Sequence, residues 1–265
     1  MKIAFIGAGN MAEAIVAGIV KQKVVPAADI FVTDISEDRL THFLMKYEVS
    51  TSDDNAYPVA QADVVVLSVK PQVFPAVWPE IEGALKSDAL VISIMAGIPS
   101  AKIANDKPIR VVRVMPNTPS LVGEGAAGIA AGEWATAADL EIAQQLLGAV
   151  GVAKIVKESD IDAVTALSGS GPAYVFYLLE SMLAAADQMG LDSEVSRELA
   201  LSTVIGAAKL MQESGEGAAE LRAKVTSKGG TTHAAISTLE EHGVKESIIT
   251  AMLAAQSRSI ELAKG

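Results

Sequence analysis

The amino-acid sequence predicts an α/β chain in which a doubly wound parallel sheet in the N-terminal part is followed by a second, all-helical domain. Three observations carry this. Short apolar runs rich in β-branched residues alternate with helical periodicity from Lys2 to about Val156. A glycine-rich turn joins the first run to the first helix. Beyond about Asp160 no strand signal recurs, and glycines stand only between helical stretches. The expected domains are therefore 1–160 and 161–265.

The first strand is Ile3 to Ile6, stopped by Gly7. Gly7, Gly9 and Ala12 then fall at G-x-G-x-x-A spacing, while Met11, Ile15 and Ile19 repeat every four residues as one helix face does. In a dinucleotide-binding Rossmann turn the first glycine permits the bend and the second lets the backbone approach a pyrophosphate. The small third residue lets helix pack on strand. The orphan N–H groups of the helix start, around Asn10 and Met11, would face the phosphates.

Pro26 breaks the helical pattern, and Ile30 to Thr33 makes a second strand ending at Asp34, 22 positions beyond Ala12. A carboxylate there is placed to accept the adenine-ribose 2′-hydroxyl; it reads equally as a surface acid opening the next helix. It would repel the 2′-phosphate of NADP, which Ser36 and Arg39 could bind instead. The run Asp63 to Val69 is apolar on both faces, as a central parallel strand is, and leads to Lys70-Pro71, a helix entrance. Ala89 to Ile94 repeats the signal and stops at Ala96-Gly97. Arg110 to Met115 ends in Pro116-Asn117-Thr118-Pro119. The strand ends aim their loops at one crevice, lined by Lys70, Ala96, Asn117 and Thr118; turn chemistry also accounts for the last two. Gly128 to Ala131, a helix from Ala137 to Val150 and Val152 to Val156 finish the sheet.

In the second half Ser168-Gly169-Ser170-Gly171-Pro172 opens a helix with Ser170 as N-cap and Pro172 in its first turn. Its body, Tyr174 to Met189, ends at Gly190 and is apolar almost all round, which predicts burial or an oligomer contact. Asp192 or Ser193 caps a long helix ending near Gly215, a shorter one runs to Val225, and two more follow from Thr231. Ile248, Ile249, Met252, Leu253 and Ile260 read as packing positions. Between them, Val225 to His233 puts two glycines and four hydroxyls immediately before a helix. Such a stretch forms an anion nest able to hold a carboxylate, or an elaborate N-cap.

Composition narrows the chemistry. The chain has 265 residues with 21 Lys plus Arg against 32 Asp plus Glu, a formal charge of −11, which disfavours nucleic acid and anionic membrane as partners. No cysteine is present, so disulfides and thiolate metal sites are excluded. Glu13 and the glycine turn interrupt the N-terminal apolar stretch, which argues against a signal peptide, and no run approaches the length of a membrane helix. A cytoplasmic protein is expected. His42 and His242 lie in polar helical contexts and read as solvated, no carboxylate follows His233 at a spacing that would orient it, Ser168 and Ser170 lack a G-x-S-x-G elbow, and no metal-ligand spacing occurs. A cofactor must then carry the reaction.

Four stretches together resemble the Δ1-pyrroline-5-carboxylate reductase family: F-I-G-A-G-N-M-A from Phe5, R-V-M-P-N-T-P from Arg113, S-G-S-G-P-A-Y from Ser168 and T-S-K-G-G-T-T from Thr226. The resemblance runs the length of the chain. It implies a Rossmann domain followed by a helical domain that interlocks with a partner subunit, giving a homodimer or higher oligomer. It also implies hydride transfer from NADPH, or NADH given Asp34, to the C=N carbon of an anionic cyclic imino acid, yielding proline. By position, Ser227, Gly229, Gly230 and Thr231 would hold the substrate carboxylate, and the Thr232 hydroxyl would approach the ring nitrogen. Val69, Lys70, Pro71, Ala96, Gly97 and Asn117 would bracket the nicotinamide, and Asn55 would reach the adenosine end. The chain departs from the family pattern at Asp34, where many members are neutral, and at Lys228, where proline is common. A hydroxyacid dehydrogenase, a reductase of a related imine and a non-catalytic dinucleotide sensor are the alternatives.

Overall fold

A computed structural model describes residues 1–264, which form two compact units: residues 1–172 with 254 onward, and residues 173–253. In the first unit β1 (Ile3–Ile6), α1 (Asn10–Lys21), β2 (Ile30–Thr33), α2 (Glu37–Tyr47), β3 (Ser50–Ser52), α3 (Ala56–Gln61), β4 (Val64–Leu67), α4 (Phe74–Ile81), β5 (Leu90–Ser93), α5 (Ser100–Ala104) and β6 (Arg110–Met115) alternate. They are followed by β7 (Gly125–Ala131), α6 (Ala137–Gly148), β8 (Gly151–Ile155) and α7 (Ile161–Val164). The eight strands lie in the order β3-β2-β1-β4-β5-β6-β7-β8. From β3 to β6 all pairs are parallel, as the apolar runs predict.

The register explains why these runs are apolar throughout. Ile3 and Phe5 enter one core with Ile15, Val32, Phe43 and Leu146, whereas Ala4 and Ile6 enter a second core with Val65, Trp78 and Ile103 on the opposite face. Each large side chain withdrawn from water stabilises the sandwich by about 1.5–3 kcal/mol. At the far edge β7 runs antiparallel to β6, and β8 parallel to β7. The connection at 116–124, a 3-10 turn over Thr118–Val122, is too short for the crossover that a parallel neighbour needs.

Local departures from the expected elements have physical causes. β3, α3 and α5 are short, and Ser50–Ser52 is a polar edge strand without an apolar pattern. The entrance at Lys70-Pro71 is a tight turn, closed by the N–H groups of Val73 and Phe74 on the carbonyls of Lys70 and Pro71, and α4 starts only at Phe74. Ser170 does not open a helix: its backbone is itself helical (φ −84°, ψ −16°), where an N-cap is extended. Its N–H reaches back to the Thr165 carbonyl at 2.8 Å, so the chain passes from α7 through a π-helical turn, Thr165–Gly169, straight into α8 (Gly171–Gln188).

The second unit contains most of α8, then α9 (Ser193–Ser214), α10 (Ala218–Lys224), α11 (Thr231–Glu241) and the start of α12 (Val244–Lys264). Asp192 caps α9 by accepting the N–H groups of Glu194 and Val195, and Gly215 ends it at φ +69°. The apolar face of α8 is not covered within the chain: Phe176, Tyr177 and Leu178 are all more than half exposed. Ile248, Ile249 and Leu253, which read as packing positions, are likewise about half exposed. About half of each side chain is therefore covered within the chain and half is left open. Among the described residues no helix is long and apolar enough to cross a membrane.

Candidate functional site

The glycine turn is built by β1, β2 and β4 together. Gly7 has φ +103°, and a Cβ there would lie 2.9 Å from the Ser68 carbonyl oxygen. Only glycine tolerates both conditions. The Gly7 N–H donates to the Thr33 carbonyl at 2.9 Å, and the Ser68 hydroxyl is directed at the carbonyls of Ile6 and Gly7 at 2.9 and 2.8 Å. Gly9 is ordinary extended backbone (φ −72°, ψ 176°) and precedes α1, whose first turn no side chain caps. A Cβ on Gly9 would meet nothing within 4 Å. The uncapped N–H groups and the open Cα face suit an approaching pyrophosphate.

A cleft of about 390 Å³ opens above this turn. Of the residues expected to bind a coenzyme, Gly7, Gly9, Asp34, Asn55, Val69 and Lys70 line it. Ser68, Thr33, Ile35, Asp53, Val73 and Val77 line it too, and sequence reasoning did not single them out. Ile35 is 99% exposed, an apolar side chain held in the open next to Asp34 at the end of β2, and that adjacency was the available signal. The residues present fit a dinucleotide: a glycine cradle at the centre, Val69, Val73 and Val77 as apolar wall, and carboxylates at the β2 end.

Asp34 is fixed by two backbone donors. Its Oδ2 accepts the Ala8 N–H at 2.7 Å and its Oδ1 the Ser36 N–H at 2.9 Å. A carboxylate offers about four acceptor positions, so two remain for ribose hydroxyls. Asn55 accepts the Thr33 hydroxyl at 2.5 Å and donates to Glu80 at 3.2 Å. Ser36 is the N-cap of α2, accepting the Arg39 N–H. Behind this edge stands Glu13 of α1. Its Oε2 pairs with Arg39 Nη2 at 2.7 Å, while its Oε1 meets His42 Nε2 at 2.7 Å, Tyr47 at 2.9 Å and Lys46 Nζ at 3.1 Å. Burial pushes the Glu13 carboxyl up, but the bonds from His42, Arg39, Tyr47 and Lys46 together outweigh it and hold it far below the usual carboxylate range. Arg39 also donates Nε–H to the Ala8 carbonyl at 2.8 Å and lies over the Phe43 ring.

The other expected coenzyme residues lie elsewhere in the first unit. Asn10 is exposed at the start of α1, and the Met11 side chain packs against the core, which leaves its backbone for an anion. Pro71 sits half-buried in the turn before α4. Ala96 is exposed beyond β5, and Gly97, at φ +71°, faces the Leu262 side chain of α12. Asn117 is 8% exposed: its Nδ2 donates to the Ser168 carbonyl at 3.0 Å and its Oδ1 accepts the Ala126 N–H at 2.8 Å. It ties the β6 end to the start of β7 and to the π-helical turn.

In the second unit the nest is a turn closed by the Gly230 N–H on the Ser227 carbonyl at 3.0 Å, with Gly229 at φ +77°. Ser227 Oγ lies where a Cβ on Gly230 would approach to 2.8 Å. No side chain caps the α11 N-terminus, so the elaborate N-cap is not formed. The Thr226 hydroxyl is turned away, donating to the Arg222 carbonyl at 2.6 Å. Thr231 and His233 are exposed and Thr232 is half-buried. What the stretch presents is backbone N–H groups, hydroxyls and Lys228, a set suited to a carboxylate.

Comparison with known proteins gives the following. Residues 158–262 match the family model described as pyrroline-5-carboxylate reductase dimerisation, and residues 2–97 match that described as NADP oxidoreductase, coenzyme F420-dependent. The chain is 46% identical to a pyrroline-5-carboxylate reductase of Pseudomonas aeruginosa over 99% of its length and 97% of the relative's. It is 42% identical to one of Methanosarcina acetivorans over 99% and 98%. Among solved structures, the Coxiella burnetii enzyme of that name superposes with a TM-score of 0.93 at 41% identity, covering 100% of this chain and 99% of the other. The Plasmodium falciparum pyrroline carboxylate reductase, solved with NADP bound, gives 0.90 at 29% identity over 99% and 98%.

Proposed function

The chain belongs to the pyrroline-5-carboxylate reductase family, and from that premise we propose that it reduces Δ1-pyrroline-5-carboxylate to L-proline with hydride from NAD(P)H. The observation that carries the reading is the presence in one chain of an open glycine cradle and an uncapped, hydroxyl-rich nest. The first suits a dinucleotide; the second suits a small anion.

The bound coenzyme would supply a hydride to the ring carbon of the C=N bond, and the ring nitrogen ends with a proton and its lone pair. The chain's own residues bind and orient. Gly7, Gly9 and the N–H groups at Asn10 and Met11 hold the pyrophosphate; Asp34, Ser36 and Asn55 hold the adenosine end. Val69, Lys70, Pro71, Ala96, Gly97 and Asn117 serve the nicotinamide side. Ser227, Gly229, Gly230 and Thr231 hold the substrate carboxylate, and Thr232 offers its hydroxyl to the ring nitrogen. A protonated imine is already electrophilic, so positioning supplies most of the acceleration, on the order of 7 kcal/mol in favourable geometry. The exposed apolar face of α8 supports a homodimer or larger homo-oligomer through the C-terminal helices, and the charge of −11 supports a protein without nucleic-acid or anionic-membrane partners. The test is direct: purified protein with the pyrroline substrate and each reduced coenzyme should oxidise the coenzyme and release an equal amount of proline. Coenzyme binding without proline would overturn the reading in favour of a sensor.

A further inference from the structure

We propose that this chain, while accepting either coenzyme, binds NADH in preference to NADPH, with Asp34 taking the ribose hydroxyls and Glu13 acting as the positioning residue that neutralises Arg39. The inference rests on the coenzyme cleft of the proposed function.

Three observations lead there. Asp34 is held rigidly at the end of β2 by the Ala8 and Ser36 N–H groups, with acceptor capacity left on both oxygens, and it lines the cleft beside Asp53. A 2′-hydroxyl donates to such a carboxylate; a 2′-phosphate, which only accepts and is negative, is repelled by it. The first turn of α2 adds Glu37 and Asp38, both exposed, so the segment that follows Asp34 carries further negative charge. The cations nearest this carboxylate on α2 are engaged. Arg39, His42 and Lys46 converge on Glu13, and Arg39 is further tied to the Ala8 carbonyl and stacked on Phe43. Glu13 thus balances the guanidinium that NADPH recognition would use.

The experiment measures the dissociation constants of NADH and NADPH on the full chain without substrate, by quenching or calorimetry, alongside kcat/KM for each. The expected Kd is roughly tenfold or more lower for NADH, within what one like-charge contact costs at a half-exposed site. Asp34→Ser and Glu13→Gln should each bring the two constants together, the first by removing the repelling charge and the second by leaving Arg39 uncompensated. Glu13→Asp should restore the parental ratio. Fold destabilisation alone would weaken both coenzymes alike, so the ratio isolates the effect. Equal or tighter NADPH binding by the parent overturns the proposal, as does a ratio unmoved by Asp34→Ser. An NADH preference in binding, with no proline formed from either coenzyme, would leave this inference standing and overturn the proposed reaction.

Discussion

Alanine at Gly9 and at Gly7 should separate the coenzyme-binding role of the glycine turn from its structural role. Gly9 has an allowed backbone and open space around a would-be Cβ, so Gly9→Ala strains nothing. By restricting the unfolded chain it should raise stability slightly, by about 0.4–1 kcal/mol. Yet the methyl would stand where the pyrophosphate must approach the N–H groups of α1. Losing one or two charge-assisted hydrogen bonds, each about 1.5–3 kcal/mol, weakens coenzyme binding by roughly ten- to ten-thousandfold. Gly7→Ala differs. A positive φ costs alanine about 1–3 kcal/mol. The 2.9 Å approach to a backbone carbonyl adds an overlap that only displacement of Ser68 relieves, and the Ser68 N–H is bonded to Ile6 at 2.9 Å. At about 2–4 °C per kcal/mol, Tm should fall by roughly 5 °C or more. Thermal denaturation at matched protein concentration and coenzyme titration read the two effects. A Gly9→Ala protein whose coenzyme Kd stays within about twofold of the parent's would refute the placement of the pyrophosphate.

The remaining predictions concern separate parts of the chain. Thr232→Ala should lower kcat/KM for the pyrroline substrate roughly tenfold, one hydrogen bond to the reacting ring, while the coenzyme Kd is unchanged; unchanged kinetics would remove Thr232 from the reaction. Asn117→Ala should leave the Ala126 N–H and the Ser168 carbonyl unpaired in a nearly buried place, a loss of about 1–3 kcal/mol visible as a lower Tm. Glu13 sets an acid-range dependence. Its folded carboxyl titrates well below its ordinary value of 4.5, so the stability it contributes is present above pH 4.5 and is lost as the pH falls toward its folded value. Denaturation between pH 5 and about pH 3 should therefore show a shallower loss for Glu13→Gln than for the parent; parallel curves would mean that the Glu13 cluster contributes nothing to the titration.

Legibility in the sequence followed how local each feature is. β1, β2, β4 and β5 were placed to within about two residues because a strand buried on both faces has to be apolar throughout. Ser50–Ser52 escaped notice because an edge strand has no such requirement. Gly215 and Asp192 announced the ends of α9 through backbone needs of their own. Ser170 misled for a related reason: a serine before Gly-Pro is a good cap, and nothing local tells that the Thr165 carbonyl will take its N–H. The cleft was legible at Gly7, Gly9, Asp34 and Lys70, whereas Ser68, Val73 and Val77 are residue types that any loop or helix carries.

The sequence by itself determined the alternation of strands and helices, the glycine cradle, the all-helical second half and the family, because each depends on residue type and spacing along one stretch. Only the tertiary structure decided that Asp34 holds the Ala8 N–H, that Arg39, His42, Lys46 and Tyr47 all meet Glu13, that Asn117 bridges Ala126 and Ser168, and that β7 turns back beside β6. Those contacts join residues of common type across long stretches of chain. Their partners are set by how two packed elements align, and periodicity records which face a residue turns inward but not what it meets there.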